Sequence, residues 1–480
     1  MRLLHLTLFV VFAIIAPLTA HADEKKPLNV LFIAVDDLRP ELGCYGHRQI
    51  LSPNIDKLAA SGMLFERAYC QQAVCAPSRA SLMTGCRPDS TKVTDLKTPL
   101  PTVRPDLLTL DHNFKEHGYT TISLGKIFHH AENDDSVGWS EPPWRPEHGE
   151  FPWFVLPENK MPTTGTEANP PKGKRGPPVE AADVDDDAYP DGQTATRAVE
   201  YLQKLKDADK PFFLAVGFVK PHLPFACPKK YWDLYDRNKI ELPDDMRPPK
   251  DGPKVALTNW PELRQYRGMP KQGPLTDAQA KELVHGYYAC VSQSDALVGK
   301  VLAELDRLGL RDNTIVILWG DHGWHLGEHS LWTKHTNFEI ATHAPLMISG
   351  PGIKPNQRTS ALVEFVDVYP SLCELTGLPL PKQLEGSSFV PLLSDPTRSW
   401  KTAAFSQFPH EGRMGRTVTD GRYRFTLWPA KGNAPEELEL YDHQTDPQED
   451  VNLAGHADQA ETVKRMTALL TDGWRAAKPK

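Results

Sequence analysis

No long basic run occurs in this chain of 480 residues, and its formal net charge is −8. Without a concentrated positive patch there is no electrostatic footprint for a polyanion, which argues against nucleic acid as the main partner. No internal repeat is found. Beyond the N-terminus, no segment is apolar enough to cross a membrane. Cysteine is scarce and odd in number, with seven residues at positions 44, 70, 75, 86, 227, 290 and 373. In an exported chain an odd count leaves one thiol over or modified. Cys75 is the candidate, and sequence does not reveal how the other six would pair.

Proline, by contrast, is abundant. The chain has 44 of them, well above an average of roughly 5%, which points to long, ordered, irregular loops on a compact scaffold. A composition of 40% hydrophobic and 24% charged residues is that of a soluble globular protein. The length exceeds what one core usually serves, so two unequal domains are expected. The N-terminus reads Met1-Arg2, an apolar run to about Leu18, then Ala20-His21-Ala22. This pattern predicts a secretory signal peptide cut after Ala22, and hence a secreted or periplasmic protein. An uncleaved anchor is the rival, disfavoured by the short run and by Pro17 within it.

Asn29 to Val35 is a continuous apolar run ending in Asp36-Asp37. Fully buried strands of α/β sheets look like this, and ligand sites in such sheets lie beyond the strands' carboxyl ends. Ser52-Pro53-Asn54 predicts a capped helix over 55–60. Further helices are expected at 107–117, 193–206, 277–308, 366–375 and 460–477. Further strands are expected at 120–124, 212–218, 314–319 and 345–349. Strands alternating with helices imply a mostly parallel sheet sandwiched by helices. Near residue 400 the pattern changes, and 421–428 with 437–441 read as short antiparallel strands. The expected division is therefore a leader at 1–22, a main domain at 23–398 and a small α+β domain at 399–480. From Glu132 to Pro190 periodicity vanishes. The tryptophans there (139, 144, 153) argue for packing, so this segment reads as an insertion decorating the site.

The stretch that organises the rest is Val74-Cys75-Ala76-Pro77-Ser78-Arg79-Ala80-Ser81-Leu82-Met83-Thr84-Gly85. Pro77 suits a first helical turn and Gly85 can close the helix. Cys75 then sits just ahead of a helix N-terminus, where free N–H groups and the helix dipole favour an anion. Arg79 adds a fixed charge with a planar fork of donors. Other chemical groups recur at strand ends: Asp36, Asp37, Asp321 and His322. Oxygen-rich carboxylate sites select hard cations such as calcium or magnesium, while the histidine leaves zinc or manganese open. Lys126 and His129 (in Gly-Lys-Ile-Phe-His), His222 (in Lys-Pro-His-Leu-Pro-Phe) and Lys334 also follow buried strands or their loops, so all can converge at one sheet edge.

These motifs, Cys-x-Pro-x-Arg followed by Ala-Ser-Leu-x-Thr-Gly and then Gly-Lys-x-Phe-His and Asp-His, stand in the order of the type I sulfatases, which the chain resembles over most of its length. Likeness is strongest to the iduronate-2-sulfatase branch, across 75–89, 125–129 and 321–334. The resemblance implies an alkaline-phosphatase-like fold. It implies conversion of Cys75 to formylglycine by a formylglycine-generating or anaerobic maturation enzyme. It also implies one calcium ion held by Asp36, Asp37, Asp321, His322 and the modified Cys75. In that family one hydroxyl of the hydrated aldehyde attacks sulfur. By the same resemblance, Arg79 favours the hydroxyl's ionised form, Lys126 and Lys334 hold the sulfate oxygens, His222 protonates the departing sugar oxygen, and His129 takes a proton from the second hydroxyl.

The substrate expected from this is a sulfated oligosaccharide, attacked by an exo-acting 2-O-sulfatase at a terminal uronic acid. Trp324 offers a face for the sugar ring, Lys97 a partner for the uronate carboxylate, and Thr94 lines the same pocket. Three alternatives remain open: a sulfatase of 6-O- or aryl specificity, a phosphate or phosphonate ester hydrolase of the same superfamily, and an inactive glycan-binding homologue.

Overall fold

The computed structural model describes residues 26–129, 137–146, 153–160, 175–244 and 246–479. The expected leader at 1–22 and parts of the insertion lie outside them. The apolar run that opens the mature sequence is the strand Asn29–Val35, buried on both sides. Its side chains alternate between two cores. Leu31, Ile33 and Val35 enter one, with the long helix Asp277–Arg307 and the helix Pro190–Lys206. Val30, Phe32 and Ala34 enter the other, with the helices Cys75–Thr84 and Val368–Thr376. Two covered faces explain why the run shows no polar alternation.

This strand is central in a seven-stranded sheet of order Gln357–Thr359, Met63–Phe65, Leu346–Ser349, Thr314–Gly320, Asn29–Val35, Phe212–Phe218 and Thr120–Gly125. Only Leu346–Ser349 runs against the others. The sheet is thus mixed and mostly parallel, as expected.

A second sheet is antiparallel and four-stranded: Ala404–His410, Arg413–Thr419, Tyr423–Trp428 and Glu437–Asp442, in that order. The helix Ala460–Ala476 lays Met466 against its Val418, Phe425 and Leu440. The first two of its strands were not anticipated. Their polar residues, including Gln407, Arg413 and Arg416, hide the period-2 signal, and the ladder rather than composition makes them strands.

Several local expectations shifted, among them the start of the 193–206 helix, which lies at Pro190. The 107–117 helix covers only Leu110–Glu116. Ser52 does not cap the helix Pro53–Ala60 by its own hydroxyl. Instead the N–H groups of Asn54 and Ile55 donate to Asp295 Oδ1, at 2.9 and 2.7 Å, from the long helix. A buried carboxylate from another element meets the positive helix end more strongly than a neutral hydroxyl would.

The insertion packs where it is described. Trp139 is buried against Phe213, Trp144 bridges Leu124, and Lys220 lies 4.9 Å from the Trp153 ring. Among the described residues no helix is long and apolar enough to cross a membrane.

Candidate active site

Register brings the first acids together. Val35 pairs with Gly320, so Asp36 and Asp321 both lie one residue past neighbouring strand ends. Asp37 turns away with φ 58°, a left-handed conformation that Asp tolerates better than most residues. Its N–H donates to Asp321 Oδ1 at 3.0 Å, and the Tyr287 hydroxyl donates to its carbonyl at 2.8 Å. Lys126 follows the end of the edge strand Thr120–Gly125, one strand removed from Asn29–Val35, where Gly125 faces Gly217. A Cβ on Gly125 would lie 2.1 Å from the Gly217 carbonyl oxygen, and φ there is +71°. Glycine is therefore required for the chain to turn and aim Lys126 inward.

The cysteine helix spans Cys75–Thr84, two residues earlier than a proline-led start suggests, and Gly85 closes it at φ 66°. Arg79, fully buried, fastens this helix to the acids. Its Nε donates to Asp321 Oδ2 at 2.8 Å and Nη2 to Asp36 Oδ1 at 3.1 Å. Nη1 donates to the carbonyls of Ile127, at 2.9 Å, and of Lys126. Lys126 itself pairs with Asp36. Burial alone would raise the Asp36 pKa, but Lys126 and Arg79 outweigh it and hold the carboxyl well below the usual range.

Asp37 behaves oppositely. Burial raises its pKa, Lys334 at 3.2 Å opposes that, and the negative charges of Asp36 and Glu262 reinforce it. Its Oδ1 is buried without a hydrogen-bond partner. Ligand atoms of Asp36, Cys75, Asp321 and His322 lie within 4.8 Å of one another, as do those of Asp36, Asp37, Cys75 and His222. Crowded carboxylates with an orphaned buried oxygen are what a divalent cation would satisfy. His322 fits the same role. Its Nδ1 faces the Gly323 carbonyl at 2.9 Å and so carries hydrogen, leaving the Nε2 lone pair toward the cluster, 3.2 Å from Cys75 Sγ. The residues present fit a metal ion.

Burial, reinforced by Asp36, pushes the Cys75 thiol pKa well up. A neutral, buried thiol is a poor nucleophile at neutral pH. His222 uses Nδ1 against the Leu223 carbonyl, at 2.6 Å, and turns Nε2 to Glu262 Oε1 at 3.2 Å, with Asp37 at 4.0 Å. Burial, and then the Lys334 charge, hold its pKa well below the ordinary imidazole value. Lys334 has the reverse balance: burial opposes its charge, but Asp37, with Cys75 and Glu262, pushes its pKa well above the usual value.

Glu262 thus touches both His222 and Lys334, and sequence reasoning missed it. It comes from the irregular Pro-rich segment, where only an acid between Trp260-Pro261 and a helical turn could have drawn notice. His129, half-buried, follows Lys126 by three residues in the same loop.

The expected sugar contacts are more scattered. Thr94 is half-buried, and its carbonyl accepts from Gln72 Nε2 at 2.7 Å, which ties it to the segment leading into the cysteine helix. Lys97 is exposed on the following turn, whose Asp95 side chain accepts from the Lys97 and Thr98 N–H groups. Trp324 is only 1% exposed. The Lys334 ammonium lies 4.8 Å from the centre of its ring. In this structure the ring backs a lysine and offers no open face to a sugar.

The sulfatase family profile matches residues 28–378, and a second, described as N-sulphoglucosamine sulphohydrolase, C-terminal, matches 327–475. Human iduronate 2-sulfatase is 34% identical, over 89% of this chain and 91% of its own length. A solved structure in complex with its substrate, D-glucosamine-2-N,6-O-disulfate, superposes with a TM-score of 0.75 at 22% identity, covering 93% of this chain and 97% of that one. A solved 2-O GAG sulfatase superposes with a TM-score of 0.73 at 25% identity, covering 93% of this chain and 92% of that one. The fold is that of the alkaline-phosphatase-like sulfatases. The chain belongs to the sulfatase family and is a sulfuric ester hydrolase.

Proposed function

We propose that this enzyme is an exo-acting 2-O-sulfatase that removes sulfate from a terminal uronic acid of a sulfated polysaccharide. The observation that carries the chemistry is the convergence of Cys75, Arg79, Lys126, Lys334 and three carboxylates within one buried cluster. The uronate assignment draws its support from the likeness to iduronate 2-sulfatase and to a 2-O GAG sulfatase. On this reading Cys75 is converted to formylglycine, whose hydrate supplies a hydroxyl nucleophile where the buried thiol is unreactive. Asp36, Asp37, Asp321 and His322 would hold one calcium ion, which when bound supplies positive charge that lowers the pKa of that hydroxyl and polarises the sulfate.

The chain's own residues account for the rest. Lys126 and Lys334 are the cations available to the sulfate oxygens, and both keep their charge because neighbouring carboxylates outweigh burial. Fixed donors aimed at the transferring group need no reorganisation during reaction, the usual source of large rate gains. Arg79 acts on the acids and on the Lys126 backbone, with no exposed surface of its own.

His222 is assigned as the acid. A bound sulfate ester places negative charge beside Nε2, which favours the imidazolium and proton donation to the bridging oxygen. Glu262 supports the same protonation from 3.2 Å. His129 is assigned as the base for the second step. Lys97, on an exposed turn tied to the cysteine helix through Thr94, is the cation assigned to the uronate carboxylate.

The test is a panel of defined saccharides, with released sulfate measured by ion chromatography. Release from a terminal 2-O-sulfated uronate is expected. Release only from 6-O- or N-sulfated glucosamine would overturn the uronate assignment.

A further inference from the structure

Trp324 is covered, yet another tryptophan at the same site is not. Trp260 is 44% exposed, among the few large apolar side chains left open on the described surface. It is not loose. Its ring stacks on the imidazole of His335, with centroids 4.5 Å apart and planes 21° from parallel. His335 is buried, and its backbone N–H donates to the Ala73 carbonyl at 3.1 Å, two residues before Cys75. One face of Trp260 is therefore occupied, and its exposure belongs to the opposite face and the edges.

The tripeptide Trp260-Pro261-Glu262 spans from this rim into the catalytic cluster. Glu262 lies 3.2 Å from His222 and 3.3 Å from Lys334, while Lys334 is the direct chain neighbour of His335. Pro261 restricts the backbone between them. Trp260 therefore lies two residues from the partner of His222 and Lys334, and stacks on the chain neighbour of Lys334.

We infer that the free face of Trp260 is a platform for the pyranose ring of the sulfated saccharide, with His335 as its fixed backing. A ring already immobilised by stacking loses little freedom when a ligand lands on it, which favours affinity. Tryptophan also offers a large rigid area with an apolar face, matched to the C–H face of a sugar ring. This rests on the saccharide reading given above, and the charge at the cluster plays no part in it. The sulfate end is gripped by ions, and the sugar end by a stack.

The test compares the mature, metal-loaded wild type with Trp260→Ala and Trp260→Phe. Two probes are used: a heparin disaccharide carrying a terminal 2-O-sulfated uronate as substrate, and inorganic sulfate as an inhibitor without a ring. Trp260→Ala should raise KM for the disaccharide about tenfold, equivalent to ~1.4 kcal/mol, with kcat and the Ki for sulfate unchanged. Trp260→Phe should recover most of the loss. An equal weakening of sulfate would mean that the stack only holds the Glu262 loop, and the platform would be wrong. An unchanged KM would also overturn it. If wild type is inhibited by sulfate but hydrolyses no sulfated saccharide, the substrate reading fails, and the platform with it.

Discussion

Replacing Arg79 by lysine separates charge from geometry at the heart of the site. The guanidinium serves four acceptors in different directions: Asp321, Asp36 and the carbonyls of Ile127 and Lys126. All of this happens at 0% side-chain exposure for Arg79 and both acids. Lysine keeps the positive charge, so the full cost of leaving a buried pair without its partner, about 3–5 kcal/mol, is avoided. A single ammonium cannot span the fork, however, and two charge-assisted bonds at ~1.5–3 kcal/mol each are lost. After partial repacking, the expected destabilisation is about 3 kcal/mol. Arg79→Ala should cost more and lower the folded yield. Activity should suffer further, because the Lys126 carbonyl loses its anchor and the two acids their common brace. A fall in kcat/KM of at least ~100-fold is expected for Arg79→Lys, equivalent to roughly 2.7 kcal/mol of barrier. Urea midpoints with matched kinetics on one sulfate ester make the measurement. A lysine variant with the wild-type midpoint and most of its activity would refute the role given to the fork.

Cys75→Ala should abolish turnover while leaving the urea midpoint near wild type, and the corresponding wild-type peptide should show by mass the conversion of its thiol to an aldehyde. Asp321→Ala should lose both bound divalent ion and activity, and elemental analysis of wild type should return a single ion per chain; two zinc ions would favour the phosphatase reading. A third prediction concerns Glu439, which accepts from Trp428 Nε1 at 2.7 Å and the Tyr441 hydroxyl at 3.1 Å in the buried second sheet. Burial holds its carboxyl up to about 7, against 4.5 in the open chain. The folded state then keeps a proton that the unfolded chain releases, so this group's contribution falls as pH rises from about 4.5 to about 7, by about 3 kcal/mol in all. Glu439→Gln cannot titrate, so its stability relative to wild type should climb between pH 5 and pH 8; a difference constant with pH would refute this.

Much of the site was legible because its residues follow features that local sequence encodes strongly. Asp36 and Asp321 come directly after long apolar runs, which announce buried strands, and Lys126 follows a β-branched stretch closed by Gly125. What the runs do not announce is their order. That Val35 lies beside Gly320, and so Asp36 near Asp321, depends on pairing across nearly three hundred residues and was supplied only by resemblance. Asp295 illustrates the same limit. Nothing near it marks a cap for a helix that starts at Pro53, since the contact is created by packing of the long helix.

The sugar side was harder to read for a physical reason. Of the groups proposed to serve the sulfate and the metal, Asp36, Lys126 and Asp321 directly follow strands, whose positions follow from the sequence pattern. The groups proposed to meet the sugar sit on irregular loops, where exposure is decided by tertiary packing. Trp324 and Trp260 are equally plausible platforms by residue type. One follows Asp-His-Gly and is folded under, against Lys334. The other lies in a Pro-rich stretch without periodicity and is left open, stacked on His335. Glu262 escaped notice for the same cause, although its carboxylate reaches both His222 and Lys334. Since Lys334 also pairs with Asp37, a cation bound at the acids would compete with Lys334 for that carboxylate. Glu262 would then remain as the partner of the ammonium, 3.3 Å away, holding it where the proposed function needs a cation for the sulfate. The loop that carries the proposed sugar platform and the loop that pairs with Lys334 are the same loop. On the proposed reading, substrate fit and the placement of Lys334 are coupled through three consecutive residues.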